Sequence, residues 1–207
     1  MLRLITPVIA LGLMACAGDA EETDTVNAEA VEAATEAAAQ FGLEVGSAAP
    51  DISLTNAAGE TVTLADLAGE RGTVIYFNRS VDWCPFCQVQ TMEIDTFARY
   101  FDERGYGVAV ITYDEVDELA AFAERRRVSL PLLSDPQSAL VDAFDIRDPN
   151  YTDPEHYAYG VPYPITFVIN TDGIITAKYW HEPGYGEMRG YAERISVADV
   201  LMSLSEG

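Results

Sequence analysis

Two cysteines separated by two residues, Cys84 and Cys87, enclose Pro85 and Phe86, and this spacing suits thiol–disulfide exchange. Pro85 fits the first position of a helix, because its missing N–H would have no partner there. Cys84 then falls at the N-cap. Free backbone N–H groups and the positive end of the helix dipole stabilise a thiolate at that point, and the thiolate is the nucleophile. Cys87 lies one turn further along the same face, within reach of a mixed disulfide formed at Cys84. The pattern predicts an exposed Cys84 that attacks, a Cys87 that resolves, and a redox-active disulfide between them. Pro85 and Phe86 support that site, and Trp83 is read either as a shield for the Cys84 sulfur or as core packing. Three other readings compete. A structural disulfide closing so short a loop restrains the unfolded chain little. A zinc site needs two more ligands, and only His156 and His181 exist, without paired spacing. Inert thiols are the third. Covalent haem is excluded because Gln88 stands where a histidine is required. No metal and no cofactor are expected.

A pair of this kind has to be held between a strand and a helix. Residues 73–77 form a continuous apolar run of strand length. After the cysteines, Val89, Met92, Phe97, Tyr100 and Phe101 recur near helical spacing up to Gly105. Strands are predicted at 107–113 and 130–133, and helices at 115–127 and 139–144. A hairpin is predicted at 165–179, turning at Asp172-Gly173. Upstream, 52–54 and 61–63 alternate about Ala57-Ala58-Gly59 as another hairpin. Ser196, with Asp199 three residues on, caps a last helix through Leu204. The order specifies an α/β domain over residues 45–207, with a central mixed β-sheet and helices on both faces. Residues 148–163, with Tyr151, Tyr157, Tyr159 and three prolines, form an irregular insertion. It is either a wall of a substrate groove or a cover for the sheet edge.

The 207 residues carry 12 basic and 34 acidic side chains, a net charge of −22. With Lys178 the lone lysine, no basic face exists to bind nucleic acid. At the N-terminus, Arg3 precedes an apolar run over 4–13, about ten residues and too short to cross a hydrocarbon core of about 30 Å. Leu13-Met14-Ala15-Cys16 resembles the bacterial lipobox, with Met14 in place of the usual small residue. The expectation is a signal peptide over 1–15, acylation at Cys16 and an Ala- and Glu-rich tether over 16–44. The protein would then face the periplasm from a membrane anchor, with Ala17 favouring the outer membrane. Ordinary signal cleavage nearby is the alternative.

Residues from about 45 to 204 resemble the thioredoxin-like superfamily, in the branch close to the peroxiredoxins of the alkyl hydroperoxide reductase and thiol-specific antioxidant type. The segments that carry the resemblance are Ala49-Pro50-Asp51, Trp83-Cys84-Pro85-Phe86-Cys87, Leu132-Leu133-Ser134-Asp135-Pro136 and the run from Tyr163-Pro164-Ile165 to Ile169. By that resemblance the fold is thioredoxin-like. Pro164 is then similar to the cis-proline whose neighbourhood, with Tyr163, grips a bound substrate strand. The departures matter. Peroxiredoxins carry proline and threonine or serine where this chain has Phe77 and Val81, and an arginine where it has Pro164. Arg79 and Arg147 are the candidates to replace that arginine. The buried aspartate of thioredoxins is Asn78 here, which cannot titrate.

With two of the peroxiredoxin donors missing, the first expectation is a thiol–disulfide oxidoreductase of the cell envelope. It would act on protein or small-molecule disulfides and thiols, coupled to an envelope electron donor or acceptor. Two alternatives stand beside it: a peroxiredoxin-like peroxidase using the same cysteines, and a non-catalytic binding adaptor of the same fold.

Overall fold

The run at 73–77 becomes the central strand. In the computed structural model, which describes residues 41–182, 186, 187 and 189–204, β3 (Gly72–Phe77) is buried at every position. It runs parallel to β4 (Tyr106–Thr112) and antiparallel to β6 (Ile165–Asn170). With a strand on each side and helices above and below, no position of β3 meets water, so its residues are apolar without alternation. β5 (Leu132–Ser134) pairs parallel to β4 and antiparallel to β1 (Ser53–Asn56), and β1 turns back onto β2 (Thr61–Thr63). At the other edge β6 turns at Gly173, φ 76°, into β7 (Ile175–Trp180). Among the described residues the order is β2-β1-β5-β4-β3-β6-β7, one mixed sheet of seven strands.

Alternate residues of β3 feed two cores. Ile75 and Phe77 point to a cluster with Phe144, Phe167 and Leu140. The helices on that face are α1 (Leu64–Leu67) and α4 (Ala139–Ala143). Val74 and Tyr76 point the other way, against Ile94, Phe101, Leu119, Phe122 and Val200. These come from α2 (Pro85–Asp102), α3 (Val116–Arg126) and α5 (Val197–Ser203). Ser196 accepts from the Asp199 N–H at 3.1 Å and caps α5 as its spacing requires.

Two expectations shift by a few residues. The face that α2 buries is Cys87, Thr91, Ile94 and Phe101, whereas Val89 is 62% exposed. The helix turns its redox end inward, and Val89 on the opposite face is left to solvent. Packing also begins before residue 45. Phe41 is buried edge-on against Tyr163 at 5.7 Å, and its carbonyl accepts from Lys178 Nζ at 2.9 Å. A large aromatic side chain cannot be left in a tether when an apolar recess lies four residues away. The signal peptide over 1–15, Cys16 and the remainder of the tether lie outside the described residues, among which no helix is long and apolar enough to cross a membrane.

Candidate active site

The chain leaves β3 at Asn78, whose N–H reaches the Ile111 carbonyl of β4 at 2.9 Å. From there it must turn sharply to start α2. Ser80 makes the turn: its Oγ accepts from the N–H groups of Asp82 (3.0 Å) and Trp83 (3.2 Å). Buried Asp114, just past β4, accepts from the Val81 N–H at 2.6 Å and from Thr112 Oγ1 at 2.8 Å. The loop is thus fixed from below before the cysteines are reached. Cys84 then takes extended backbone at the N-cap, and its sulfur accepts from the Cys87 N–H at 3.3 Å. Pro85 stands at the first turn, and an eighteen-residue helix follows. This is the arrangement that lowers a cysteine's pKa.

The sulfurs of Cys84 and Cys87 are bonded, with Cα atoms 5.3 Å apart. The pair is less open than expected. Cys84 is 1% exposed and Cys87 0%, while Pro85 and Phe86 cover the rim and remain exposed themselves. In this oxidised form Cys84 owes its distinction to the helix terminus and not to exposure.

Trp83 is half-buried and tied to two tyrosines. Its Nε1 donates to Tyr113 Oη at 2.8 Å, and that hydroxyl donates to the Tyr157 carbonyl, also at 2.8 Å. The Trp83 ring meets the Tyr157 ring edge-on at 5.0 Å. The insertion at 148–163 therefore closes over the redox loop as a wall. Beneath it sits Arg79, 1% exposed, with its guanidinium carbon 5.1 Å from the Trp83 ring, 4.7 Å from Tyr151 and 3.8 Å from Tyr191. The buried Nε and Nη1 of Arg79 have no hydrogen-bond partner. The other candidate cation is engaged elsewhere: Arg147 clasps Asp142 through Nε (2.7 Å) and Nη2 (2.8 Å).

One residue at the pair was not anticipated. Arg194, just ahead of α5, places Nη2 at 3.4 Å from the Cys87 sulfur. Its Nη1 donates to Gln90 Oε1 (2.8 Å) and to Asn78 Oδ1 (3.2 Å), and its Nε to the Tyr191 carbonyl (3.2 Å). Asn78, where an acid was sought, thus serves to hold a base in place. Burial first, and then repulsion from Arg79, push the Arg194 guanidinium down to about 10, so it stays charged at neutral pH. Its place in an irregular segment offered no periodicity from which to find it.

Pro164 does not take the cis form that the resemblance implied: among the described residues no peptide bond is cis. The side chains of Tyr163 and Pro164 are both buried. Tyr163 packs against Phe41 in the core facing away from α2, and its hydroxyl donates to the His181 carbonyl at 3.2 Å. The Tyr163 N–H is bonded to the Ile146 carbonyl at 2.8 Å. Val81, where the family hydroxyl was missing, is wholly buried in the α2-side core. Among the described residues no three His, Cys, Asp or Glu side chains converge as a metal site.

Buried Asp114, Asp135 and Asp148 have carboxyls pushed above the ordinary value, in each case chiefly by loss of water. Hydrogen bonds oppose the rise in all three. Such a carboxyl binds its proton more tightly folded than unfolded. It contributes its full stability below the unfolded value of about 3.8 and loses that contribution as pH rises through the folded one. The carboxyl shifted the other way, Asp66, is fully exposed and bonded to Thr63, so its effect is screened by solvent. Mild acidification also reduces the repulsion within a chain of net charge −22. The melting temperature should therefore rise as pH falls from neutral toward the unfolded carboxyl value of about 3.8. A fall across that interval in a thermal scan would contradict the assignment.

Residues 45–178 match the AhpC/TSA family. A Mycobacterium tuberculosis H37Rv protein named as a peroxiredoxin is 32% identical over 140 residues, covering 66% of this chain and 85% of that protein. Among solved structures, peroxiredoxin Q of Xanthomonas campestris superposes with a TM-score of 0.58 at 25% identity, over 82% of this chain and 98% of that one. Peroxidoxin BcpB of Mycobacterium tuberculosis superposes with a TM-score of 0.63 at 24% identity, over 79% and 97% respectively, and supports the thioredoxin-like fold. With the mixed sheet, the cysteine pair at the start of α2 and this match over most of its folded part, the chain belongs to the AhpC/TSA family and is an oxidoreductase acting on thiols and disulfides.

Proposed function

We propose that the protein is a two-cysteine thiol peroxidase, in which Cys84 is oxidised by a hydroperoxide and Cys87 resolves it. The observation that carries this reading is the positive surrounding of the dithiol. In a chain of net charge −22, the N-terminus of α2, Arg194 at the Cys87 sulfur and Arg79 under Trp83 gather at one point. Positive charge and N–H donors there favour a thiolate and stabilise oxygen leaving as an anion. Arg79 supplies the cation that the sequence lacks at Pro164. The relatives named as peroxiredoxins support the same reading over general disulfide exchange.

In the first step the Cys84 thiolate attacks one peroxide oxygen. An S–O bond forms, the O–O bond breaks, and the departing alkoxide or hydroxide takes up a proton. Cys87 then attacks the Cys84 sulfur, forming the S–S bond and expelling the sulfenic oxygen as water. An external dithiol returns the disulfide to the reduced pair by two exchanges, and is itself oxidised.

Rapid mixing of the reduced protein, followed by the fluorescence of Trp83, tests the choice. The second-order rate constant with hydrogen peroxide should exceed that with a protein disulfide by about 10²-fold, the scale on which aimed donors act. The reverse order would restore disulfide exchange as the function.

A further inference from the structure

Cys87 presents a chemical difficulty. It is fully buried, and burial in apolar surroundings raises a thiol's pKa. It is the third residue of α2, and its own N–H is given to the Cys84 sulfur. Left to itself it would be a neutral thiol, slow to attack and poor as a leaving group. We propose that Arg194 removes this difficulty by holding the Cys87 sulfur as a thiolate, so that the pair has two separate sources of thiolate stabilisation: the helix terminus for Cys84 and a guanidinium for Cys87. The assignment rests on the peroxidase reading only for the name of the oxidant, because any exchange at this disulfide requires Cys87 to leave or attack as a thiolate.

The geometry is specific to that task. Arg194 Nη2 is 3.4 Å from the sulfur. The remaining bonds of its guanidinium, to Gln90, Asn78 and the Tyr191 carbonyl, go to uncharged acceptors. Its charge is therefore not spent on a carboxylate. Arg194 touches the sulfur, Arg79 repels the Arg194 guanidinium, and Tyr163 and Tyr191 act on that guanidinium in the opposite sense. Glu93 lies along α2 in the groove of about 290 Å³ that Phe86, Gln90 and Arg194 also line. The charged group in contact with the sulfur is thus a cation, and a hydrogen bond from a charged donor is about twice as strong as a neutral one. The disulfide sulfur is a weak acceptor. Reduction converts the same contact into an ion pair, so Arg194 favours the reduced pair over the oxidised one. During reduction, attack of an external thiolate on Cys84 breaks the S–S bond and leaves the electron pair on the Cys87 sulfur, beside Nη2. During resolution that electron pair forms the bond to Cys84, and the sulfenic oxygen departs as hydroxide and is protonated to water.

The test isolates Cys87 as the single thiol in a full-length Cys16→Ser, Cys84→Ser background and follows its ionisation by the ultraviolet absorbance of the thiolate. Arg194→Gln keeps donors for Asn78 and removes the charge, and should raise the midpoint by about one pH unit or more, a tenfold loss of thiolate at fixed pH. Arg194→Lys should retain most of the depression. An unchanged midpoint in the glutamine variant overturns the proposal, and so does an equal rise in both variants, which would mean that packing and not charge is at work. Gln90→Ala, on the half-buried face of α2 where folding is not at stake, withdraws the 2.8 Å bond that aims the guanidinium and should raise the midpoint by a smaller amount. If Arg194→Gln does not fold, an unchanged midpoint in Gln90→Ala overturns the proposal by itself. No peroxide enters these titrations, so their failure is distinct from failure of the peroxidase reading.

Discussion

Cys84→Ser should abolish peroxide consumption, a loss of about 10³-fold or more, as expected when the nucleophile of a reaction is removed. Cys87→Ser should do something different in kind. Its Cys84 thiolate still stands at the N-cap of α2, so the O–O bond is still broken, but no second sulfur is present to expel the oxygen. Sulfenic acid should therefore accumulate on Cys84 and become labelled by a 1,3-dione that reacts only with that species. In the unmodified protein the Cα atoms of the pair stand 5.3 Å apart, within the range for a disulfide. Closure should outrun the label, and mass spectrometry should find the disulfide instead. The labels also read out the order of the roles. If Cys84→Ser acquires the dione on Cys87 while Cys87→Ser stays unlabelled, Cys87 is the sulfur that meets peroxide and the assignment is reversed.

How much of this site could be read from sequence depends on the distance over which each contact acts. The cysteine pair was legible because its chemistry is local: Pro85, the helix start and the three-residue step from Cys84 to Cys87 lie within one turn. β3 was legible because a strand covered on both faces has to be a continuous apolar run. Arg194 was not, since 107 residues separate it from Cys87 and its segment carries neither pattern nor motif. Val89 and Ile94 show a subtler limit. Both fit a helical stripe about equally well, and only the docking of α2 on β4 decides that Ile94 is buried and Val89 exposed. Pro164 shows another limit: a resemblance carried a cis isomer to that position, whereas the peptide bond is trans and the side chain buried. Arg79 fell between the two cases: its nearness to Cys84 was visible, but the three aromatic rings that enclose it come from three separate stretches of chain.

That enclosure makes Arg79→Met the most informative single change at the oxidant side of the site, with an expected fall of about 10²–10³-fold in the rate of reaction with hydrogen peroxide, the usual consequence of losing a donor aimed at a leaving oxygen. Methionine fills the space along the Trp83, Tyr151 and Tyr191 rings without the charge, so packing is largely kept. The buried Nε and Nη1 of Arg79 make no hydrogen bond within the protein, so the main group that loses by the change is buried Asp148, whose carboxyl the Arg79 charge holds down. A purely structural role predicts that every reaction of Cys84 slows together. Stabilisation of a leaving oxygen predicts a split, because alkylation by iodoacetamide expels iodide and needs no such donor, whereas cleavage of the O–O bond does. The expected result is therefore a large drop toward peroxide with a change of less than about tenfold toward iodoacetamide, and partial recovery of the peroxide rate in Arg79→Lys. Equal losses in the two reactions would mean that Arg79 only props the loop before α2. The missing family arginine would then have no substitute at this position, and peroxide cleavage would rest on the helix terminus and Arg194 alone.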